Sequence, residues 1–371
     1  PLGSSHPGLA SGMGHVVPVN HMYLNYLVPN NGGANAYDVR AMAAGEVVMV
    51  NWTHRTSGAP ADDYAIYLSF GDALSAWFEH VHELAPALQA YLDAHSGSWH
   101  EPFPGARIMF LGQAGQPPTL PVAAGELLGR TRDYTSSWDV GMVDACRTTL
   151  PIHLGPRRYP TWIELAAAAG IVLPAEPFPG NRGTNAACFY DYLSPALRPA
   201  WQALLVSTPQ LCGRVIWDLA GTLQGTWFNP ALDASPDASI LFRLEKAAFA
   251  IVPSALNSTT EIQISIASGD PELSALDPTG SAPQLANAFH VVFDPTPGAL
   301  VDPAPAAIGP GTTVCYNLNH TNGALWDRLY LRLDAATGEL AIAYEPLALA
   351  TPQCPAPPFP GTIPWDTSYR R

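Results

Sequence analysis

The chain has 371 residues, with 17 lysines and arginines against 31 aspartates and glutamates, and a formal net charge of -14. Lys246 is the only lysine, so no lysine-rich stripe can meet phosphates and nucleic acid is not an expected partner. The longest uncharged apolar stretch in the helical region, 165–173, falls well short of the ~20 residues that a bilayer span requires, so we expect no membrane span.

Turn-forming residues dominate the composition. Thirty-eight prolines and 31 glycines, with only 13% charged residues, indicate many turns and short strands. A hydrophobic content of 47% argues against disorder. The length favours two domains of roughly 150 residues each. We therefore expect a mainly β protein with two cores.

The first residues are expected to lie outside the fold. Pro1-Leu2-Gly3-Ser4 looks like the remnant of a cleaved expression tag, and the following stretch to Gly14 contains several glycines and serines. We assign residues 1–14 to a tag and a disordered leader.

Short apolar runs, separated by Gly, Asn, Asp or Pro, then continue to Asp144. Apolar residues alternate in most of them, which predicts strands and an all-β unit. The predicted strands are 15–27, 37–52, 62–70, 74–84, 106–112, 123–131 and 138–144.

A helical interval separates this unit from a second set of strands. Pro160 and Thr161 are a helix start signal for 160–174, and Ser194 is the expected N-cap for 194–205. Beyond Cys212, alternation and turn pairs such as Thr337-Gly338 predict consecutive antiparallel hairpins that form a barrel or a sandwich. The predicted strand segments are 212–230, 239–253, 260–268, 287–295, 312–319 and 327–347.

The cysteines have no Cys-x-x-Cys pair and no zinc-finger spacing, so a cysteine zinc cluster is not expected. Two disulfides with one free thiol would suit a secreted or periplasmic protein, and five buried thiols would suit a cytosolic one. The five positions are Cys146, Cys188, Cys212, Cys315 and Cys354.

Histidines are concentrated in the first half of the chain. Neutral histidine is the commonest ligand for borderline metals, and three groups converging from separate strands suffice for a site. In the segment 78–84, FEHVHEL, His80 and His82 alternate with Val81, so a strand would place both on one face. These two are candidate metal ligands, while histidines on predicted loops and strand ends are expected to be solvated. The latter are His15, His54, His95, His100 and His153.

The strand order of residues 15–145 resembles the core of lysostaphin-type zinc peptidases. In chain order, members of that family have the motif His-x-x-x-Asp, a hairpin, a strand ending in Tyr-x-His-Leu, a glycine-containing turn and the motif His-Leu-His. Four glycines fall where the turns of that family need them: Gly45, Gly71, Gly125 and Gly129. The matching segments are HMYLN (21–25), YDVRAMAAGEVVMV (37–50), YAIYLSFGDALSAWFEHV (64–81), VAAGELLG (122–129) and SSWDVGMVD (136–144).

The resemblance implies roles for five residues. His21 matches the first zinc histidine, and Asn25 stands where the family has its zinc aspartate. His80 matches the histidine that helps to orient the attacking water or to stabilise the oxyanion. Asp139 and Ser137 match the second and first histidines of His-Leu-His, which are a zinc ligand and a catalytic group.

Two hypotheses follow. In the first, His21, Asp139 and His80 hold Zn2+ with open positions for water, His80 and Asn25 assist catalysis, and the protein is a metal-dependent hydrolase of a peptide or other cell-envelope polymer. His82 or Ser137 could replace a member of this set. In the second, the site has decayed, and the scaffold binds or regulates an envelope polymer or a partner protein.

The resulting domain organisation has four parts after the leader. They are a divergent lysostaphin-like domain at 15–158, a helical connector at 159–208, a β-rich accessory domain at 209–350 and a proline-rich tail at 351–371. The resemblance also places the protein in the secreted or periplasmic space.

Overall fold

A computed structural model gives the fold of this chain. It describes residues 3–5, 21–25, 35–55, 61–132, 137–147, 162–168, 170–180, 185–202, 217–228, 248–254, 260–267, 286–319, 326–349, 354–359, 363, 365 and 367–369. The predicted strand residues 239–247 lie outside the described residues.

The first half contains twelve strands within the described ranges. They are β1 (Gly3–Ser5), β2 (His21–Asn25), β3 (Ala36–Arg40), β4 (Gly45–Arg55), β5 (Ala61–Ser69), β6 (Leu74–Val81), β7 (Glu83–Leu84), β8 (His100–Phe103), β9 (Ala106–Phe110), β10 (Leu120–Val122), β11 (Leu127–Arg132) and β12 (Ser137–Asp144). β1 lies within the range assigned to the leader and pairs with β2, with Gly3 opposite Asn25.

These strands form two antiparallel sheets that share a core. The large sheet has the order β1-β2-β12-β6-β5-β4-β9-β8, with β10 also pairing with β4, and the small sheet has the order β3-β11-β7. One face of the large sheet, carrying Val50, Ile66 and Phe78, packs against Val39 and Leu128 of the small sheet. Successive side chains of a strand point to opposite faces of the sheet, so one face of each sheet can contribute its apolar side chains to this shared core.

The expectation of strands alone in this half is wrong at one place, where helix α1 (Pro86–Ala94) follows β7. Pro86 stands in the first turn, where its missing N–H is not needed. Leu88 and Leu92 are four residues apart, and both are buried in the shared core. The helical spacing of these two leucines is the signal in the sequence for α1.

The helical interval packs on the large sheet. Helix α2 (Trp162–Ala168) lies on the face opposite to the shared core, where Trp162 and Phe178 contact Tyr67. The two carboxylate oxygens of Glu176 accept hydrogen bonds from the first backbone N–H groups of α2. A 3-10 turn, Phe189–Tyr192, and α3 (Arg198–Gln202) follow. Phe189 and Tyr190 join the shared core, so the interval covers both faces of this sheet.

In the described ranges, the second half contains a pair of four-stranded antiparallel meanders. One sheet is β13-β14-β15-β16 and the other is β17-β18-β19-β20. Phe249 and Ile264 of the first sheet and Leu329 and Ile342 of the second belong to one hydrophobic core, so the arrangement is a sandwich. The bounds are β13 (Gly225–Phe228), β14 (Ala248–Pro253), β15 (Glu261–Ala267), β16 (Ala286–Val292), β17 (Thr313–Asn319), β18 (Trp326–Leu333), β19 (Leu340–Leu349) and β20 (Thr367–Tyr369).

The proline-rich tail is attached to this sandwich. A disulfide joins Cys354 to Cys315 on β17, and the N–H of Cys354 donates to the side-chain oxygen of Asn317 at 2.8 Å. Phe359 packs edge-on against Tyr330, and β20 pairs with β19. The tail therefore covers the outer side of the second sheet.

The predicted mainly β class is confirmed.

Besides Cys315 and Cys354, Cys188 is disulfide-bonded, while Cys146 is an exposed free thiol. Among the helices in the described ranges, none is long and apolar enough to cross a membrane.

Candidate functional site

A bulge at the end of β6 determines where His80 lies. Tyr64 is opposite Val81 and Ile66 is opposite Phe78, so two steps along β5 match three steps along β6. His80 occupies this irregularity with φ of 61°. A side chain in the left-handed region is unfavourable by about 1–3 kcal/mol, and such strain is concentrated at functional and tightly constrained positions.

Hydrogen bonds with the neighbouring small sheet hold the bulged backbone in place. The hydroxyl of Thr131 donates to the carbonyl oxygen of His80 at 2.6 Å. The N–H of His82 donates to the carbonyl oxygen of Arg130 at 2.8 Å. These bonds hold the chain on both sides of Val81 and help to maintain the strained conformation.

The imidazole of His80 lies between two carboxylates from other strands. Its Nδ1 is 3.0 Å from Asp63 on β5, and its Nε2 is 3.3 Å from Asp139 on β12. The exposed fractions of the three side chains are 21% for His80, 10% for Asp63 and 1% for Asp139. We call these three residues the His80 cluster. It joins the adjacent strands β12, β6 and β5 near one end of the large sheet.

The cluster favours a protonated histidine. Burial acts to lower the pKa of His80, but the charges of Asp63 and Asp139 and their hydrogen bonds outweigh it and raise the pKa well above its usual value. An imidazolium has a proton on each ring nitrogen, which matches two carboxylate partners.

His82 belongs to a different group of contacts. It is buried, and its Nδ1 accepts a hydrogen bond from the backbone N–H of Arg132 at 2.9 Å. This nitrogen is therefore unprotonated, and its lone pair already accepts a hydrogen bond. The described contacts of His82 involve Thr131 and Arg132, whereas those of the His80 ring involve two aspartates.

The strand that carries the other predicted ligands lies beside β12. His21 is opposite Gly141, Tyr23 is opposite Asp139, and Asn25 is opposite Ser137. Strands β2, β12 and β6 are consecutive neighbours in the large sheet. The backbone thus brings the positions of His21, Asn25, Ser137, Asp139 and His80 onto three adjacent strands. The side chains of His21, Asn25 and Ser137 lie outside the described part of the structure.

Two aromatic side chains, Trp77 and Tyr67, continue the same sheet face next to Asp139. We call this pair the aromatic wall. Gly141, two residues further along β12, lies under the ring of Trp77, because a Cβ there would be 1.9 Å from the ring. Trp77 stacks on Tyr67 with ring centroids 6.0 Å apart. Glycine at position 141 therefore lets the indole lie flat across the strand.

The resemblance implies a zinc ion held by His21, Asp139 and His80, and of these three side chains the structure describes those of Asp139 and His80. A metal ligand must offer a lone pair, and both ring nitrogens of His80 face carboxylates, an arrangement that favours the protonated imidazole. In the part of the chain that the structure describes, no group of three or more His, Cys, Asp or Glu side chains could hold a metal ion. The described contacts of the His80 ring are those with Asp63 and Asp139.

Asp63 is the residue of the cluster that the sequence interpretation missed. It stands in the pair Asp62-Asp63 at the start of β5. Alternation puts it on the same strand face as Ala65 and Tyr67, which is the face of the aromatic wall. Two adjacent acidic residues at the beginning of an apolar strand are the only signal, and this signal does not reveal the partner.

Comparison with known proteins gives no match: neither protein-family models, nor curated proteins, nor solved structures match this chain. The lysostaphin-type resemblance stays a prediction that rests on the quoted motifs.

Proposed function

We propose that this protein works outside the cytoplasm as a metal-independent binding protein for a cell-envelope polymer, on a peptidase-like scaffold that does not hydrolyse the polymer. The observation that carries this proposal is the double engagement of His80 by Asp63 and Asp139. A histidine protonated on both nitrogens can neither accept a proton from water nor ligate a metal.

Two substitutions in the motifs support the same conclusion. Asn25 offers a neutral amide where the resembling family has a zinc aspartate, and a neutral carbonyl is a weaker ligand for a dication. Ser137 stands where that family has a catalytic histidine. The cluster instead joins three strands by ion pairs and strengthens one end of the large sheet.

The extracytoplasmic part of the proposal is supported by cysteine chemistry. Cys315 and Cys354 are joined, and Cys188 is also in a disulfide. Disulfides persist in oxidising compartments and are rare in the cytosol. The partner should be neutral or cationic, because the chain has a net charge of -14.

The test combines metal analysis with sedimentation. Protein purified without chelator is analysed for metal and then mixed with insoluble envelope polymer, with and without EDTA. We expect less than stoichiometric zinc, protein in the pellet in both conditions, and no soluble fragments by mass spectrometry. Protein that stays in the supernatant, or fragments whose release EDTA abolishes, would contradict the proposal.

A metal-dependent hydrolase is the second candidate, and one observation favours it. The register of β2 against β12 puts the backbone of His21 opposite Gly141, two residues from Asp139. The same experiment separates the candidates. Stoichiometric metal that is lost in both His21→Ala and Asp139→Ala, together with polymer cleavage, would establish the hydrolase. Asp72→Asn, an exposed change in the β5–β6 turn, is the control.

A further inference from the structure

A second polar cluster lies on the opposite face of the large sheet. Trp52 on β4 is opposite Tyr64 on β5 and Arg107 on β9, and His54 is opposite Asp62. We call these five residues the Trp52 patch. Asp62 and Asp63 are consecutive in β5, so their side chains point to opposite faces. The patch is therefore separate from the His80 cluster.

The ring of Trp52 is held in a defined orientation. Its indole N–H donates to Oδ1 of Asp62 at 3.0 Å, and Nδ1 of His54 is 3.5 Å from the same oxygen. The guanidinium carbon of Arg107 is 5.0 Å from the centroid of the indole ring, within the range of a cation–π contact. These contacts preorganise the patch, which lowers the entropy lost when a ligand binds.

The patch presents aromatic and polar groups together at the surface. His54, Asp62 and Arg107 are exposed, and Trp52 and Tyr64 are half-buried. Burial and the nearby carboxylates of Asp62 and Asp93 raise the pKa of Tyr64 to about 12. The phenol therefore keeps its proton at neutral pH and can act as a hydrogen-bond donor.

We propose that the Trp52 patch binds a saccharide whose rings are neutral or carry amino groups. The inference rests on the proposed function and names the part of the polymer that is recognised. The apolar C–H face of a sugar ring can pack on an aromatic ring, while a carboxylate and a guanidinium pair with neighbouring hydroxyl groups. The negative charge of the whole chain disfavours a polyanionic saccharide.

Isothermal titration calorimetry with three soluble hexasaccharides tests the proposal. They are built from N-acetylglucosamine, which is neutral, from glucosamine, which is cationic, and from galacturonic acid, which is anionic. We expect binding of the neutral or the cationic hexasaccharide and none of the anionic one. Trp52→Ala should raise the Kd by about tenfold, because a stacked aromatic contact is lost, and Trp52→Phe should restore part of the affinity.

Asp62→Asn and Arg107→Ala are the second pair of variants, since both residues are exposed and their replacement should leave the thermal melting temperature near that of the parent. Each should weaken binding by about threefold or more, as for a lost charge-assisted hydrogen bond. The matched control is Trp365→Ala. Trp365 has its own cation–π contact, with Arg332 at 4.6 Å, in the other half of the chain, so its loss should leave the Kd unchanged.

The outcomes distinguish this inference from the proposed function. Protein that sediments with envelope polymer but binds no hexasaccharide would overturn the inference and leave the proposed function standing. Preferential binding of the anionic hexasaccharide, or affinity unchanged in Trp52→Ala, Asp62→Asn and Arg107→Ala, would also overturn it. Failure of the protein to sediment with polymer would overturn the proposed function.

Discussion

Asp62 and Asp63 are adjacent in the sequence, yet they serve opposite faces of the large sheet. Asp62 accepts a hydrogen bond from Trp52, and Asp63 pairs with His80. Because side chains alternate along a strand, two consecutive carboxylates can take part in two separate clusters. One of these clusters joins three strands of the sheet, and the other lies at its surface.

The stability of the protein should depend on pH through His80. Its folded-state pKa lies above the usual value of 6.5, so the contribution of the cluster is complete below about pH 6.5 and is lost as the pH rises through the raised value. His80→Gln removes the charge and keeps the strained backbone position. Urea unfolding should show the stability difference between parent and variant shrinking from about pH 6 to pH 9. A pH-independent difference would contradict this assignment.

The two carboxylates should each maintain the protonated state of His80. Asp63→Asn and Asp139→Asn each replace a negative charge by a neutral amide, so each should lower the pKa of His80 in an NMR titration of the imidazole signals. Asp72→Asn, in the exposed turn between β5 and β6, should leave this pKa unchanged. A pKa that does not fall in either cluster variant would show that the carboxylates are not its cause.

Gly141 should tolerate no side chain. Gly141→Ala would place Cβ 1.9 Å from the ring of Trp77, and the forced shift of a buried indole should destabilise the fold by about 1–3 kcal/mol or more. Gly97 has no heavy atom within 4 Å of a built Cβ, so Gly97→Ala is the matched control and should change the free energy of unfolding by less than about 1 kcal/mol. Equal effects of the two changes, measured by urea unfolding, would refute the packing argument.

The disulfide should hold the tail on the sandwich. Cys354→Ser opens a link between positions separated by 39 residues, which should destabilise the second half by about 2–4 kcal/mol. Limited proteolysis should then remove the segment that carries Phe359 and Trp365 faster than in the parent. Cys146→Ser changes an exposed free thiol and should leave both stability and the proteolysis rate as they were.

The sequence by itself determined the class of fold and the positions of most strands. Period-two alternation between turn residues predicted β4, β5, β6 and β12, because a half-buried strand needs one apolar face. It missed α1, whose helical signal is only the pair Leu88 and Leu92 in a short segment bounded by strands. Local patterns indicate local structure, and they are weakest where an element is short.

Tertiary structure alone decided how the candidate residues meet. The spacing of His80 and His82 suggested a shared strand face, but a bulge and a positive φ at His80 turn its ring toward Asp63 and Asp139. The partnership depends on the neighbour order β12-β6-β5, which brings together positions far apart in the chain. Strand order and bulges arise from packing of the whole sheet, so no single segment of the sequence could reveal them.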